Sequence, residues 1–247
     1  NTVRRIVELA GVGPGDLVLE VGSGLGSLTF ALLEAGAVVT AVEIDQDLVR
    51  AFEESVGNRY ELKLRIVAED ALTVDWNQLL GDRDGQWKLV ANLPYNISVP
   101  LICDLLERAG DVSRMLVMVQ REVAHRLVAG VSDKAYGLPS LRGAYHAEAR
   151  ILAQVPASVF LPRPRVESAL VEIVRRSAPT VAIDPRLLFQ VARVGFNQRR
   201  KMLRRSLHGL IDEEGFTAAG VDPSLRAEDL GIREWAAVAT HSSLAAE

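Results

Sequence analysis

Asn92-Leu93-Pro94-Tyr95 brings together an amide acceptor, a stiff proline and an aromatic ring within four residues. This set suits chemistry on an exocyclic amine of a nucleobase. Such a nitrogen is a poor nucleophile because its lone pair is delocalised into the ring. A catalyst must therefore hold its two N–H groups with acceptors that favour a pyramidal, more electron-rich geometry. The Asn92 side-chain carbonyl and a backbone carbonyl of the Leu93-Pro94 turn can supply those acceptors, while the Tyr95 ring stacks on the base. Proline stiffens the turn and has no N–H to compete for the substrate. The lone pair is then aimed in line at a methyl sulfonium, so orientation and electrostatics carry the step without a dedicated general base.

A second set of residues suits an adenosine-containing cofactor. Gly22, Gly24 and Gly26 fall in Gly22-Ser23-Gly24-Leu25-Gly26, between an apolar run and a helical pattern, where an α/β fold binds nucleotide-like ligands. The G-x-G-x-G spacing differs from the dinucleotide G-x-G-x-x-G and favours a ligand lying on the loop over a pyrophosphate at the helix N-terminus. Glu43 closes the next apolar run and can accept from ribose hydroxyls. Asp70, after a third run, is placed to accept from an adenine amino group. Their neighbours Ile44 and Ala71 belong to the same expected pocket.

These positions require a sheet to present them. Leu17–Val21, Val38–Ile44, Leu62–Val67, Lys88–Ala91 and Met115–Val119 read as short buried strands. Helical patterns at Ser27–Ala35, Gln46–Val56, about Ser98–Ala109 and up to Leu127 alternate with them. This alternation predicts an α/β fold with a doubly wound, mostly parallel sheet. Ile151–Val155 and Ala169–Val174 are two more strand candidates, separated by a proline-rich stretch that cannot sit inside a sheet. From Pro185 onward Pro185–Val194, Arg199–Leu210, Glu213–Ala219 and Leu225–Val238 all read as helices. The expected division is a domain at 1–179 and a small helical domain at 180–247.

Composition bounds the function. The 247 residues are 49% hydrophobic and 24% charged, with no apolar run near the ~20 residues a membrane helix needs. A single cysteine, Cys103, and the lack of an apolar leader at the start lead us to expect a reducing, cytoplasmic setting. The net charge of −4 is unevenly spread: −9 over residues 1–111, +11 over 112–211 and −6 over 212–247. A basic segment between two acidic ones points to a polyanionic partner. Arg121, Arg126, Arg163, Arg165, Arg199, Arg200, Lys201, Arg204 and Arg205 are its candidate RNA contacts, the last five expected on adjoining turns of one helix. His125, His146, His208 and His241 lack metal-ligand spacing, and no metal is expected.

With these motifs in place, the chain resembles a known family. VLEVGSGLGSLT, VEID, AED, NLPYNIS, QREVAHRL, KAYGLPSL, VFLPRPRVESALVEI and FNQRRKMLRRSL together are similar to the rRNA adenine N6-dimethyltransferases, most closely their bacterial 16S small-subunit branch. The resemblance runs from about Val3 to the C-terminus. It implies a class I, Rossmann-like S-adenosylmethionine-dependent methyltransferase fold with a small C-terminal helical domain. It also implies dimethylation of two adjacent adenosines in a hairpin loop near the 3′ end of 16S rRNA, within an immature small subunit, by a monomer.

Carried over, the resemblance assigns Gly22, Glu43, Asp70 and Asn92 to the cofactor and Asn92, Leu93, Pro94 and Tyr95 to catalysis. Phe160, in Phe160-Leu161-Pro162-Arg163-Pro164-Arg165-Val166, matches the aromatic that closes on the other face of the target adenine. Two departures stand out: Ser23 where the family often has Pro, and no Gln-x-Phe-Leu segment ahead of the first helix, as expected of a trimmed chain. A 23S rRNA methyltransferase and a non-catalytic assembly or transcription factor on the same fold are the competing readings.

Overall fold

The computed structural model describes residues 2–57, 59–81, 83, 85–159 and 164–246. In chain order the elements are α1 (Thr2–Ala10), β1 (Leu17–Val21), α2 (Ser27–Glu34), β2 (Val38–Glu43), α3 (Gln46–Val56), β3 (Leu64–Ala68), α4 (Trp76–Leu80), β4 (Trp87–Asn92), α5 (Ser98–Arg108) and β5 (Val112–Gln120). They continue as α6 (Arg121–Val128), α7 (Leu138–His146), β6 (Ala147–Val155), β7 (Ser168–Arg175), α8 (Pro185–Asn197), α9 (Leu203–Ser206), α10 (Glu213–Ala219) and α11 (Ile232–Thr240).

The strands form one seven-stranded sheet in the order β3-β2-β1-β4-β5-β7-β6. Pairs β1–β2, β1–β4, β2–β3 and β4–β5 are parallel, and β7 runs antiparallel to β5 with Gln120 opposite Ser168. On one face Val18, Val39, Val90, Leu116 and Leu170 pack with Ile6 and Ala10 of α1 and Leu28 and Leu32 of α2. The alternating residues Leu19, Leu89, Val117 and Val171 are equally buried. Period-two alternation therefore gives a sheet covered on both faces, the condition that lets its strands read as continuous apolar runs.

Charged side chains tie the edges of this layer. Arg114 on β5 pairs with the buried Glu172 on β7, which also pairs with Arg150 on β6, and Arg114 donates to the Leu9 carbonyl at 3.2 Å to hold α1. Arg175 ends β7 and donates to four carbonyls: Leu105, Leu106 and Ala109 near the end of α5, and Val112. One guanidinium thus gathers the carbonyls at the end of α5, adding a second donor to Leu105 O and Ala109 O, which already accept from Ala109 N and Val112 N.

The chain divides into two compact units, 1–124 with 149–175, and 125–148 with 176–247. The second unit therefore includes an earlier stretch of chain besides the region from about 180 onward. Its reason is packing. Leu141 and Tyr145 of α7 are buried in one cluster with Leu188, Phe189 and Ala192 of α8, Phe216 of α10 and Trp235 of α11.

Two helical expectations and the bounds of one strand need correction. The segment 199–210 is not one helix: α8 stops at Asn197, and α9 covers only Leu203–Ser206. Between them Met202 bridges to Arg226 and the Leu203 N–H donates to the Leu225 carbonyl at 2.7 Å, so tertiary pairing takes the backbone groups a helix would use. Met202 is 40% exposed, whereas Leu203 and Leu207 are buried. The same pairing shortens the expected helix 225–238 to a single turn at Ala227–Asp229 followed by α11. Strand β3 starts two residues later than expected and ends one later.

Gly195 on α8 lies against Trp235 so closely that a Cβ would sit 2.5 Å from the ring. Gly195→Ala is expected to lower stability by about 1–3 kcal/mol through overpacking, despite alanine's better helix propensity. An unchanged urea midpoint would contradict this packing.

Candidate active site

Strand order creates the site. From β1 the chain moves to β2 on one side, and β4 later pairs on the other, so the carboxyl ends of β1 and β4 are neighbours at the point where the order reverses. A crevice opens at such a switch point. The glycine loop leaves β1 there, and Asn92-Leu93-Pro94-Tyr95 leaves β4 there.

The two segments meet in van der Waals contact. A Cβ on Gly22 would lie 3.2 Å from Pro94 Cδ, and Gly22 adopts φ +76°. Its N–H donates to Val42 O at 2.8 Å. Gly26, at φ +80°, faces Phe52 of α3, where a Cβ would stand 2.1 Å from the ring. The loop is thus pressed against the sheet and α3 at both ends, and only glycine fits. Between them Gly24 has no atom within 4 Å of its would-be Cβ, which leaves room over the loop.

Glu43 joins the loop to β2. Its Oε2 accepts from Gly24 N at 2.9 Å, and its Oε1 accepts from Ile44 N and Asp45 N at 3.0 and 3.1 Å. A carboxylate has about four lone-pair positions. Three are taken by backbone donors, so about one strong acceptor position, on Oε2, remains for a hydroxyl. Ile44 beside it is 65% exposed. Asp70 lies beyond the end of β3, half-buried, and its Oδ1 accepts from Leu72 N at 2.9 Å, while Ala71 is buried.

The turn after β4 is held from several directions. Leu93 is buried and its N–H donates to Met118 O at 3.1 Å. Ile97 N donates to Pro94 O at 3.2 Å, Ser98 Oγ donates to Tyr95 O at 3.2 Å, and Tyr95 Oη lies 3.0 Å from Ser168 Oγ. Because the Pro94 carbonyl closes the turn, the Leu93 carbonyl is the better second acceptor for an amine. The Asn92 side chain is exposed and, among the described residues, carries no hydrogen bond.

The basic candidates divide sharply. Arg199 is half-buried, with Nε donating to Glu228 at 2.6 Å and Nη2 to Lys134 O at 2.8 Å, so it braces the second unit. Arg121 pairs with Glu167 in the first unit. Arg165, Arg200, Lys201, Arg204 and Arg205 are exposed, and Arg126 is half-buried. Phe160 and Arg163 lie outside the described residues. Among the described residues no group of three His, Cys, Asp or Glu could hold a metal ion.

An open glycine cradle, a strand-end carboxylate with a spare acceptor and an exposed acceptor amide define, at this switch point, an S-adenosylmethionine-dependent methyltransferase. The residues fit that cofactor on a further ground: Ser23 Oγ in the loop is buried and has no hydrogen-bond partner among the described residues, a donor that a bound polar group would satisfy. The sequence profile of ribosomal RNA adenine dimethylases matches residues 1–242, and the chain belongs to that family.

Relatives include the ribosomal RNA small subunit methyltransferase A of Kineococcus radiotolerans, 45% identical over 98% of this chain and 81% of that protein. The protein of the same name in Moorella thermoacetica is 40% identical over 96% of this chain and 86% of that one. A dimethyladenosine transferase from Plasmodium falciparum shares the fold at a TM-score of 0.76 and 21% identity, covering 96% of this chain and 93% of that one. The 23S rRNA methyltransferase ErmE shares it at 0.66 and 23%, covering 97% and 96%. No helix among the described residues is long and apolar enough to cross a membrane.

Glu20 is the residue that motif reading passed over. It sits in β1, 1% exposed, two residues before Gly22, and accepts from Thr29 Oγ1 of α2 at 2.6 Å. The signal was an acid inside the apolar run Leu17-Val18-Leu19-Glu20-Val21. Burial pushes its carboxyl from 4.5 up to about 8, the nearby Glu43 charge adds to the rise, and the Thr29 hydrogen bond opposes it. The folded protein therefore keeps a proton on Glu20 that the unfolded chain releases above pH 4.5. The associated stability is present below pH 4.5 and is lost as pH rises toward 8. Glu20→Gln keeps the shape without the titration. Its melting temperature is expected to gain on the wild type as pH rises from about 5 to about 8; parallel curves in calorimetry would refute this.

Proposed function

We propose that this chain transfers methyl groups from S-adenosylmethionine to N6 of two adjacent adenosines in a hairpin loop near the 3′ end of 16S rRNA, on an immature small subunit, acting as a cytoplasmic monomer. The observation that carries this reading is the contact of the glycine loop with Pro94. It puts the cofactor cradle and the amine-holding turn side by side, where a methyl group need cross only one contact distance.

The cofactor, when bound, supplies an electrophilic methyl on a sulfonium. The protein's residues supply the rest. Glu43 takes a ribose hydroxyl on its remaining Oε2 position, Asp70 takes the adenine amino group, and Ile44 and Ala71 offer apolar surface to the cofactor's adenine. Gly22, Gly24 and Gly26 let the backbone approach without Cβ atoms in the way. Asn92 Oδ1 and the Leu93 carbonyl accept the two N–H groups of the target amine and turn its lone pair toward the sulfonium. The Tyr95 ring stacks on the target base, and Phe160 is assigned to the opposite face on sequence grounds alone. A base held in this way has left its RNA stack, with aromatic contacts worth about 1–3 kcal/mol each. Catalysis by orientation requires no proton to leave the amine before attack.

The RNA contacts are assigned to Arg126, Arg163, Arg165, Arg200, Lys201, Arg204 and Arg205, whose guanidinium and ammonium groups suit phosphates. Arg121 and Arg199 take part less directly, because each is paired with a glutamate.

Incubating the protein with labelled S-adenosylmethionine and immature small subunits is expected to label adenine N6, with dimethyladenosine found on digestion and mass spectrometry. Label in large-subunit RNA instead would move the substrate assignment. Asn92→Ala is expected to cut transfer by about a hundredfold or more while cofactor affinity by calorimetry stays near wild type. Turnover close to wild type would remove Asn92 from its role. Replacing Arg204 and Arg205 by Ala is expected to reduce the slope of log affinity against log salt for rRNA by about 1–2. An unchanged slope would place the phosphate contacts elsewhere.

A further inference from the structure

We infer that Ser168 is a positioning residue for the methyl transfer, fixing the plane of the Tyr95 ring against the target base. The inference rests on the assignment of Asn92-Leu93-Pro94-Tyr95 as the turn that holds the base. Its observation is the 3.0 Å contact of Tyr95 Oη with Ser168 Oγ, two residues 73 apart in the chain.

Of the five other buried serines, Ser23 has no hydrogen-bond partner among the described residues, Ser140 donates to the Arg126 carbonyl, and three follow one pattern. Ser98, Ser206 and Ser242 each satisfy their hydroxyl on a backbone carbonyl three residues back, the cheapest partner for a serine near a helix. Ser168 instead reaches a side chain on the catalytic turn. It is wholly buried at the first position of β7, where the β5 ladder sets it opposite Gln120 and the preceding Glu167 carbonyl accepts from Arg121 N at 3.0 Å. The serine is thus a fixed post, whereas Tyr95 is half-buried.

A tyrosine side chain has two soft torsions, and stacking is sensitive to the plane of the ring. The near end of Tyr95 is fixed by Ser98 Oγ donating to its carbonyl, and the far end by Ser168. Anchoring Oη fixes χ1, and because a phenolic hydrogen bond favours the plane of the ring it also biases χ2 before RNA arrives, which lowers the cost of ordering the ring at binding. The amine lone pair is aimed through the plane of the stacked base. A ring free to tilt would therefore misdirect the methyl transfer while leaving the cofactor cradle untouched. The contact also joins the start of β7 to the turn after β4.

The test compares Ser168→Ala, Tyr95→Phe and the double variant on small-subunit substrate, with Asn92→Ala in parallel. Each single change removes the same hydrogen bond and is expected to lower kcat by up to about tenfold, with the S-adenosylmethionine dissociation constant unchanged. The double variant is expected to fall no further than the worse single one, the signature of one shared interaction. Wild-type kcat in either single variant overturns the inference, as does a double variant that loses the product of the two single effects. Equal losses in kcat, cofactor affinity and thermal midpoint would mark Ser168 as merely structural and also overturn it. Should Ser168→Ala not fold, wild-type kcat in Tyr95→Phe still overturns it. Full activity in Asn92→Ala would instead defeat the assignment of the turn itself, so the two failures are separable.

Discussion

Everything at the site depends on one close approach, backbone to proline ring, between the first and fourth strands. Gly22 has no side chain, so Pro94 can pack where a Cβ would crowd it at 3.2 Å. That places a loop suited to a cofactor against a turn suited to an amine. Parallel pairing of β1 with both β2 and β4 makes such a meeting possible, because both loops then emerge on the same edge of the sheet.

The acids around the loop divide their work by the partners they hold. Glu43 spends three acceptor positions on backbone N–H groups, shaping the loop as much as awaiting a ligand. Glu20, sealed beneath the loop, favours its neutral form, and its short contact with Thr29 joins strand to helix. Two buried carboxyls in one small region thus serve different ends, one holding three backbone N–H groups and the other a single hydroxyl.

Much of this was legible in the sequence because chemistry and fold coincide at the same residues. Glycines at G-x-G-x-G spacing, an acid ending the second strand and the Asn92-Leu93-Pro94-Tyr95 turn each follow a short apolar run, and apolar runs with glycine breaks mark buried parallel strands. What was not legible is tertiary in origin. Nothing local to residues 199–210 says that Met202 will pair with Arg226 and interrupt a helix, since the helical pattern is intact in the sequence itself. Nor does Arg199 differ in type from Arg200, although the first is tied to Glu228 and the Lys134 carbonyl and the second is exposed. Glu20 and Ser168 were missed for another reason: their partners, Thr29 and Tyr95, are set by packing and not by any motif.

The interleaving of the two units changes how the protein can be assembled. Residues 125–148 lie between segments of the first unit, yet Leu141 and Tyr145 find their core only among helices that begin at Pro185. During synthesis from the N-terminus that stretch must wait, its apolar face unburied, until some ninety further residues have followed, as far as Trp235 on α11. The catalytic unit is completed sooner, when β7 delivers Arg175 to the carbonyls of α5. No single cut in the chain separates the two units cleanly. A fragment ending near 179 would carry a stranded helix, with an apolar surface that favours aggregation or capture by a chaperone.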